Sequence, residues 1–293
     1  MVSSDAFDLS IVIVNWNTRE YLLGALESIV KQMGEINVEV IVVDNNSSDH
    51  SAEAVRERFP DVELIANKTN TGYAEGNNQG LVRSSGTYVL LLNPDVILPD
   101  HSLKTAFEWM EARSDVGALG VRLVNPDGSV QRSVRGFPNP FAVLCEATGL
   151  SRMFPKSHLF GAYRMTYFTY QTEAEVDQPM GTFLLISRRT LEQVGLLDEQ
   201  FTIFFNEVDW CYRAKKLGWK IVFAPLFDVI HYGGGSTRQV KPKMAWESRR
   251  GLLDFYKKHY PSPLFAPIYW LAVIGSWLQA KVISSRRSNE IEK

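Results

Sequence analysis

From Leu9 to Arg113 the apolar residues follow two rhythms in alternation. Leu9 to Val14 (LSIVIV) is an almost unbroken apolar run, the pattern of a strand buried on both faces of a parallel sheet. Tyr21 to Val30 then places Leu22, Leu23, Leu26 and Ile29 at helical spacing. The same pair of events repeats: Val38 to Val43 reads as a strand, Ser51 to Phe59 as a charged helix ended before Pro60, and Val62 to Ala66 as a third strand. Gly72 to Ser85 is the next helix, Tyr88 to Leu92 the fourth strand and His101 to Arg113 a further helix. Strands alternating with helices predict a parallel, Rossmann-like α/β sheet.

Beyond Gly120 the rhythm breaks. Asn125-Pro126-Asp127-Gly128 is a turn signal between short strands, and Val134 to Glu175 is irregular, aromatic and rich in turn residues. Periodicity resumes at Pro179 with an apolar strand-like run (MGTFLLISR), a short helix over Thr190 to Val194, a helix over Val208 to Leu217 and a strand over Lys220 to Phe223. Met244 to Tyr260 is again helical. The stretch from Pro263 to Ile283 is apolar but contains Pro267, Gly275, Gln279 and Lys281. Its apolar heart falls short of the roughly 20 residues a spanning helix needs. With Lys257 and Lys258 before it, Trp270 and Trp277 within it, and Lys281, Arg286 and Arg287 around its end, two readings stay open: a helix lying on an anionic membrane surface, or a packing or dimerisation helix.

Composition narrows the classes. The 293 residues are 45% hydrophobic with a formal net charge of -2, ample for a core and without a general attraction for nucleic acid. Cys145 and Cys211 stand alone, outside any metal-ligand spacing, so a zinc site or disulfide framework is not expected and a reducing, cytosolic setting fits. The acidic N-terminal stretch (MVSSDAFDLS) does not read as a secretory signal.

In sheets of this kind ligands bind beyond the carboxyl ends of the strands. Those ends are polar here: Asn15-Trp16-Asn17, Asp44-Asn45-Asn46-Ser47, Asn67 to Asn70, and Asn93-Pro94-Asp95. The turn after the first strand (VNWNTRE) lacks the glycines of a dinucleotide fingerprint or a Walker A loop. Asp44 can accept hydrogen bonds from a nucleotide, or begin a turn. Glycines 72, 76 and 80 share one face of the NTGYAEGNNQG helix; each costs about 1 kcal/mol against alanine, a cost that close approach of a ligand or close packing would recover.

Asn93-Pro94-Asp95 reads either as a turn or as the site of a divalent cation bridging two phosphates, with Asp95 as one oxygen ligand. His231, leading into three glycines in VIHYGGGS, is a second candidate ligand. In FFNEVDWCYR, Asn206 would cap a helix and Glu207 and Asp209 would fall in its first turn, where the dipole favours carboxylates. A carboxylate there, facing the cleft, could also remove a proton from an incoming hydroxyl.

Taken in order, the polar strand ends, the glycine helix, NPD, E-x-D-W and HYGGGS resemble family two of the glycosyltransferases, from about Leu9 to Ser236. The resemblance implies a single-domain, A-type nucleotide-sugar-binding fold over residues 1–240 with a C-terminal helical appendage over 241–293. It implies nucleotide contacts from Val14, Asn15, Trp16, Asn17, Asp44, Asn46, Asn70, Gly72, Tyr73 and Asn78. Asn93, Gly181, Thr182 and Trp210 would face the donor sugar or acceptor. Asp95 and His231 would hold Mg²⁺ or Mn²⁺, Asn93 standing where the family's D-x-D has its first carboxylate. Glu207 or Asp209 would be the catalytic base, Glu207 occupying the family's aspartate position. The LNPD and E-x-D-W-C forms look most like bacterial rhamnosyltransferases of surface polysaccharide synthesis. That implies an inverting transfer from dTDP-rhamnose to a saccharide or lipid-linked acceptor at the inner face of the cytoplasmic membrane, with galactofuranosyl, glucosyl or other hexosyl transfer as the alternative within the family. A catalytically silent sugar-nucleotide-binding protein is the competing class.

Overall fold

The computed structural model describes residues 7–235, 241–267 and 270. Its central sheet carries the alternation read from the sequence: β1 (Leu9–Asn15), β2 (Val38–Asp44), β3 (Glu63–Ala66) and β4 (Tyr88–Leu92) pair in parallel in the order β3-β2-β1-β4. Every residue of β1 is buried, and alternate side chains go to opposite faces. Ile11 and Ile13 join a core with Leu22, Leu26 and Ile29 of α1 (Arg19–Val30), Val55 of α2 (Ser51–Arg58), and Leu103 and Met110 of α4 (Ser102–Glu111). Val12 points the other way, toward Ala74 and Leu81 of α3 (Tyr73–Arg83).

That second face explains the glycine helix. A Cβ on Gly80 would sit 2.3 Å from Val12 Cγ1 and one on Gly76 2.9 Å from Val14 Cγ1. Close packing of α3 on β1 therefore requires glycine at both positions, and of the two readings packing is the one that applies there.

The far half of the sheet is mixed rather than parallel. β10 (Phe183–Ser187) lies antiparallel between β4 and β6 (Val116–Val124), and β11 (Lys220–His231) runs beside β6. A register shift between Phe223 and Asp228 absorbs Pro225, which lacks the N–H a regular ladder needs. The strand read as ending at Phe223 thus continues to His231, where it pairs antiparallel with the two-residue β5 (Val96–Ile97). Short strands β7 (Val134–Arg135), β8 (Ala174–Glu175) and β9 (Gln178–Pro179) and helices α5 (Pro140–Thr148) and α6 (Leu150–Met153) build the irregular excursion.

Helices α7 (Arg188–Val194) and α8 (Asn206–Lys216) cover the α3 face. The C-terminal helix α9 (Lys241–His259) is anchored there too: Phe255 is fully buried among Phe201, Phe205 and Val208. Ser236 and residues 271–283 of the apolar C-terminal stretch lie outside the described residues, and no described helix is long and apolar enough to cross a membrane.

Candidate active site

Three of the polar strand ends meet over the parallel half of the sheet. Asn15 and Asp44 are register partners, and Asn15 Nδ2 donates to Asp44 Oδ1 at 2.8 Å and to Ser47 Oγ at 3.1 Å. Asp44 Oδ2 accepts from the Ser47 N–H at 2.9 Å, so the aspartate does organise its own turn. Asn17 and Asn46 both take left-handed backbone, φ 51° and 59°; Asn17 Oδ1 accepts from the Ser48 N–H. Trp16 stands half-buried between these loops. Farther along, Asn45 Nδ2 donates to the Gly72 carbonyl and Asn70 Oδ1 accepts from the Gly72 N–H, which ties the start of α3 to the β2 end.

A cavity of about 330 Å³ opens beside these loops, lined by Val14, Tyr73, Asn93, Asp95, Gly181, Thr182, Glu207 and His231 among others. On one side lies the NPD segment. Asp95 is 4% exposed; its Oδ2 accepts from the Gly235 N–H at 3.1 Å and its carbonyl from the Tyr232 N–H at 3.0 Å. The β5–β11 pairing sets His231 opposite Val96 and brings its Nε2 within 3.3 Å of Asp95 Oδ1. Burial pushes the Asp95 carboxyl up, but His231 and the Gly235 N–H outweigh it and hold the group below the usual carboxylate range.

The histidine tautomer is fixed by Gln131. The Gln131 amide nitrogen donates to the His231 carbonyl at 2.7 Å, so its amide oxygen must be the atom 2.8 Å from His231 Nδ1, which therefore carries the proton. With Nδ1 turned to Gln131, buried Nε2, which has no hydrogen-bond partner among the described residues, is left facing the Asp95 carboxylate oxygen. Two acceptors face one another unless a proton or a cation comes between them. That donor set, one carboxylate oxygen and one imidazole nitrogen with a fixed outer partner, fits Mg²⁺ or Mn²⁺ whose other ligands are phosphate oxygens and water. No group of three or more acidic, histidine or cysteine side chains arranged to hold a metal ion is present among the described residues.

Opposite stands Glu207, in the first turn of α8. No ion pair reaches it among the described residues, and burial pushes its carboxyl up to about 7 against the pull of its neighbouring backbone N–H groups. A Cβ added to Gly181 would lie 3.4 Å from Glu207 Cγ, so the Glu207 side chain packs directly on the Gly181 backbone. The Tyr73 hydroxyl donates to Asn93 Oδ1 at 3.0 Å, and Asn93 Nδ2 donates to Thr182 Oγ1 at 3.2 Å. Asn93 is thus held by the protein in a fixed orientation at the cavity wall.

The sequence model described as Glycosyl transferase family 2 matches residues 10–174, more than half of the chain. The chain belongs to glycosyl transferase family 2. It is 29% identical over 244 residues, 80% of this chain and 79% of the other, to the N-acetylglucosaminyl-diphospho-decaprenol L-rhamnosyltransferase of Mycobacterium tuberculosis. It is 22% identical over 238 residues, 78% of this chain and 84% of the other, to the rhamnosyltransferase WbbL of Escherichia coli K12. A mannosyltransferase of Pyrobaculum calidifontis, solved with GDP-Man and Mn²⁺, has the same fold with a TM-score of 0.59 at 16% identity, covering 99% of this chain and 82% of its own. This family-2 member is a nucleotide-sugar-dependent glycosyltransferase with the Rossmann-like fold expected of it.

Several positions singled out in the sequence lie away from the cavity of this glycosyltransferase. Asp209 is fully buried on the core side of α8, bonded to Arg213 Nε at 2.8 Å, Lys258 Nζ at 2.7 Å and His259 Nε2 at 2.7 Å. Trp210 is fully buried and its Nε1 donates to the Gly195 carbonyl. Asn78 clasps the 197–199 loop, bonding Leu197 through both its amide atoms, and borders an open depression of about 660 Å³ at the β3 edge that holds none of the strand-end residues. Residues two apart on a helix point to different faces, so Glu207 and Asp209 cannot share one surface. Asn206 is the first helical residue rather than the cap: Phe205 precedes it in left-handed backbone at φ 73°, and Asn206 Nδ2 instead donates to Ile203 O at 2.8 Å. Lys258, read as a membrane-facing cation, turns inward to Asp198 and Asp209. Gln131 went unnoticed, since nothing in its local pattern marks it and its partner lies 100 residues onward.

Proposed function

We propose that this glycosyltransferase moves rhamnose from dTDP-rhamnose to a saccharide, lipid-linked in the simplest case, in cell-surface polysaccharide synthesis, with inversion at the anomeric carbon. Two relatives named as rhamnosyltransferases support the sugar, and one of those names carries a diphospho-decaprenol acceptor, which supports the lipid. The observation that carries the mechanism is an unpaired carboxyl raised to about 7, Glu207, lining the same cavity as the Asp95–His231 pair. A base of that pKa is half ionised near neutrality and accepts a proton readily.

In this reading Val14, Asn15, Trp16, Asn17, Asp44 and Asn46, with Asn70 and Gly72 beside them, hold the nucleotide. Asn93, Gly181 and Thr182 face the sugar, with Tyr73 fixing Asn93. Glu207 takes the acceptor hydroxyl proton as the new oxygen–carbon bond forms and the bond to the diphosphate breaks, in a single displacement. Asp95 and His231 would hold Mg²⁺ or Mn²⁺, whose positive charge, when bound, stabilises the departing nucleoside diphosphate. Residues 1–240 form the catalytic domain and 241–293 a helical appendage, and a lipid-linked acceptor would bring the enzyme to the inner face of the cytoplasmic membrane.

Calorimetry with a panel of nucleoside diphosphate sugars, with and without Mn²⁺, tests this. dTDP-rhamnose binding that needs the metal and disappears in Asp95→Ala is expected. Tight binding that ignores both the metal and the substitution would overturn the cation site, and preference for another donor would overturn the sugar.

A further inference from the structure

Residues 149–161, inside the irregular excursion, fold into a compact knuckle. Gly149 takes left-handed backbone, φ 80°, between α5 and α6. Backbone bonds then run from Phe154 N–H to Leu150 O at 2.9 Å, Ser157 N–H to Phe154 O at 3.0 Å and Gly161 N–H to Ser157 O at 2.9 Å, and the Thr166 hydroxyl donates to the Pro155 carbonyl. This ordered backbone holds apolar side chains in water: Met153 is 70% exposed, Leu159 60%, Phe154 46% and nearby Phe141 43%. The rings of Phe141 and Phe154 both lean on Phe160, with centroids 6.4 and 5.4 Å apart. Large apolar side chains displayed together on fixed backbone mark a contact surface.

Charge indicates the partner. From Ala147 to Thr172 there is no aspartate or glutamate, in a chain whose net charge is -2, while Arg152, Lys156 and Arg164 are present. Glu146 neutralises Arg164 at 2.6 Å. Arg152 and Lys156 are exposed and make no ion pair among the described residues. Apolar anchors flanked by the exposed cations Arg152 and Lys156 match an anionic bilayer, where the side chains enter the interface and the cations meet lipid phosphates. The position suits this partner. Just beyond the knuckle the half-buried Tyr163 accepts at its carbonyl from the Gly136 N–H at 3.0 Å, Gly136 directly follows β7, and β7 pairs with β9, after which Met180 lines the cavity with Glu207. The knuckle is thereby linked through β7 and β9 to the wall of the cavity that Glu207 lines.

We propose that the 149–161 knuckle is a membrane-docking surface that inserts Met153, Phe154 and Leu159 into an anionic bilayer, with Arg152 and Lys156 on its headgroups. It rests on the lipid-linked acceptor reading for its purpose, but vesicle binding needs no sugar, so the two fail separately.

The test sediments the full chain with phosphatidylcholine vesicles, with and without phosphatidylglycerol, as wild type, M153S/L159S and R152E/K156E, with melting curves confirming that all three fold. Wild type is expected to partition onto the anionic vesicles alone, and each double variant to do so roughly tenfold more weakly or worse. Absence of wild-type binding overturns the proposal. So does equal binding by all three proteins, which would give membrane contact to another part of the chain. Self-association of wild type in sedimentation velocity, abolished in the variants, overturns it in favour of a second copy. Wild type that binds vesicles but transfers sugar as well to a water-soluble saccharide as to a lipid-linked one would sink the lipid-linked acceptor reading and leave the docking surface standing.

Discussion

Glu207 and Asp209 stand two residues apart in the first turn of α8, and their surroundings treat them oppositely. The helix dipole favours a negative charge at both. Glu207 turns to the cavity, meets no cation among the described residues and has its carboxyl pushed up to about 7. Asp209 turns to the core, where burial would push it up as well, but His259, Lys258 and Arg213 bring it down to about 2. Residue type and sequence position are nearly the same, so the difference comes from which face of the helix each occupies. Two carboxyls whose environments drive their pKa values apart are the usual mark of separate duties: one able to hold or release a proton near neutrality, the other a permanent charge that fastens α9 to α8.

The largest effect should come from breaking the cavity side. Glu207→Gln keeps the shape and removes the base, so kcat should fall roughly 10²- to 10⁴-fold while calorimetry shows donor binding retained. In wild type, kcat should rise with pH through about 7 and then level off as Glu207 ionises. Stability runs the other way. A carboxyl raised from 4.5 to about 7 holds its proton more tightly when folded, so its contribution is greatest below pH 4.5 and falls as pH climbs to 7. The glutamine variant should therefore melt at or above the wild-type temperature above pH 7. A variant that keeps kcat, or that melts well below wild type, would count against Glu207 as the base.

Breaking the core side should cost stability before it costs chemistry. Asp209→Ala leaves Lys258, Arg213 and His259 gathered around an empty position. Lys258 keeps Asp198 at 2.6 Å, and Arg213 keeps the Val194 and Leu196 carbonyls. These remaining partners place the loss near the lower end for a broken buried ion pair, about 3 kcal/mol, to be read from urea unfolding. Because the Asp209 pKa is depressed from 3.8 to about 2, its stabilisation is fully present above pH 3.8 and disappears as pH falls through 2. Wild type should accordingly show an acid-unfolding step in that window that the variant lacks. Equal urea midpoints for the two proteins would show that the cluster contributes nothing.

The contrast between these two side chains also marks where the sequence stops being legible. Period and turn chemistry are local, so β1 to β4, their helices and the polar strand ends could be read directly, and so could Asn93-Pro94-Asp95 as a place where a strand leaves the core. Nothing local says which face of α8 meets the cavity; that depends on α9 packing Phe255 beneath Phe205, some 50 residues along the chain. For the same reason Lys258 looked like a surface cation and Gln131 like an ordinary loop residue. Pro225 hid the second half of β11, because a proline that normally ends a strand is here absorbed by a bulge. The glycine helix was legible as a peculiarity, but its cause lay in the Val12 and Val14 side chains of β1.

The smallest expected effect sharpens the cavity side without touching the base. Burial first, and the Glu207 carboxylate next, push the Tyr73 hydroxyl far above its usual range, so it remains a neutral donor throughout the working pH. That donor is spent on Asn93 Oδ1 at 3.0 Å, with the Gly181 carbonyl at 3.4 Å as a second acceptor. Tyr73→Phe removes one hydrogen bond from an amide that still donates to Thr182, a loss of about 1 kcal/mol in fixing Asn93. If Asn93 faces the donor sugar, KM for the nucleotide sugar should rise roughly fivefold while the pH midpoint of kcat stays where Glu207 sets it, because the phenol carries no charge to remove. A shift in that midpoint with KM unchanged would mean that Tyr73 acts on the base rather than on the sugar, and would divide the cavity differently.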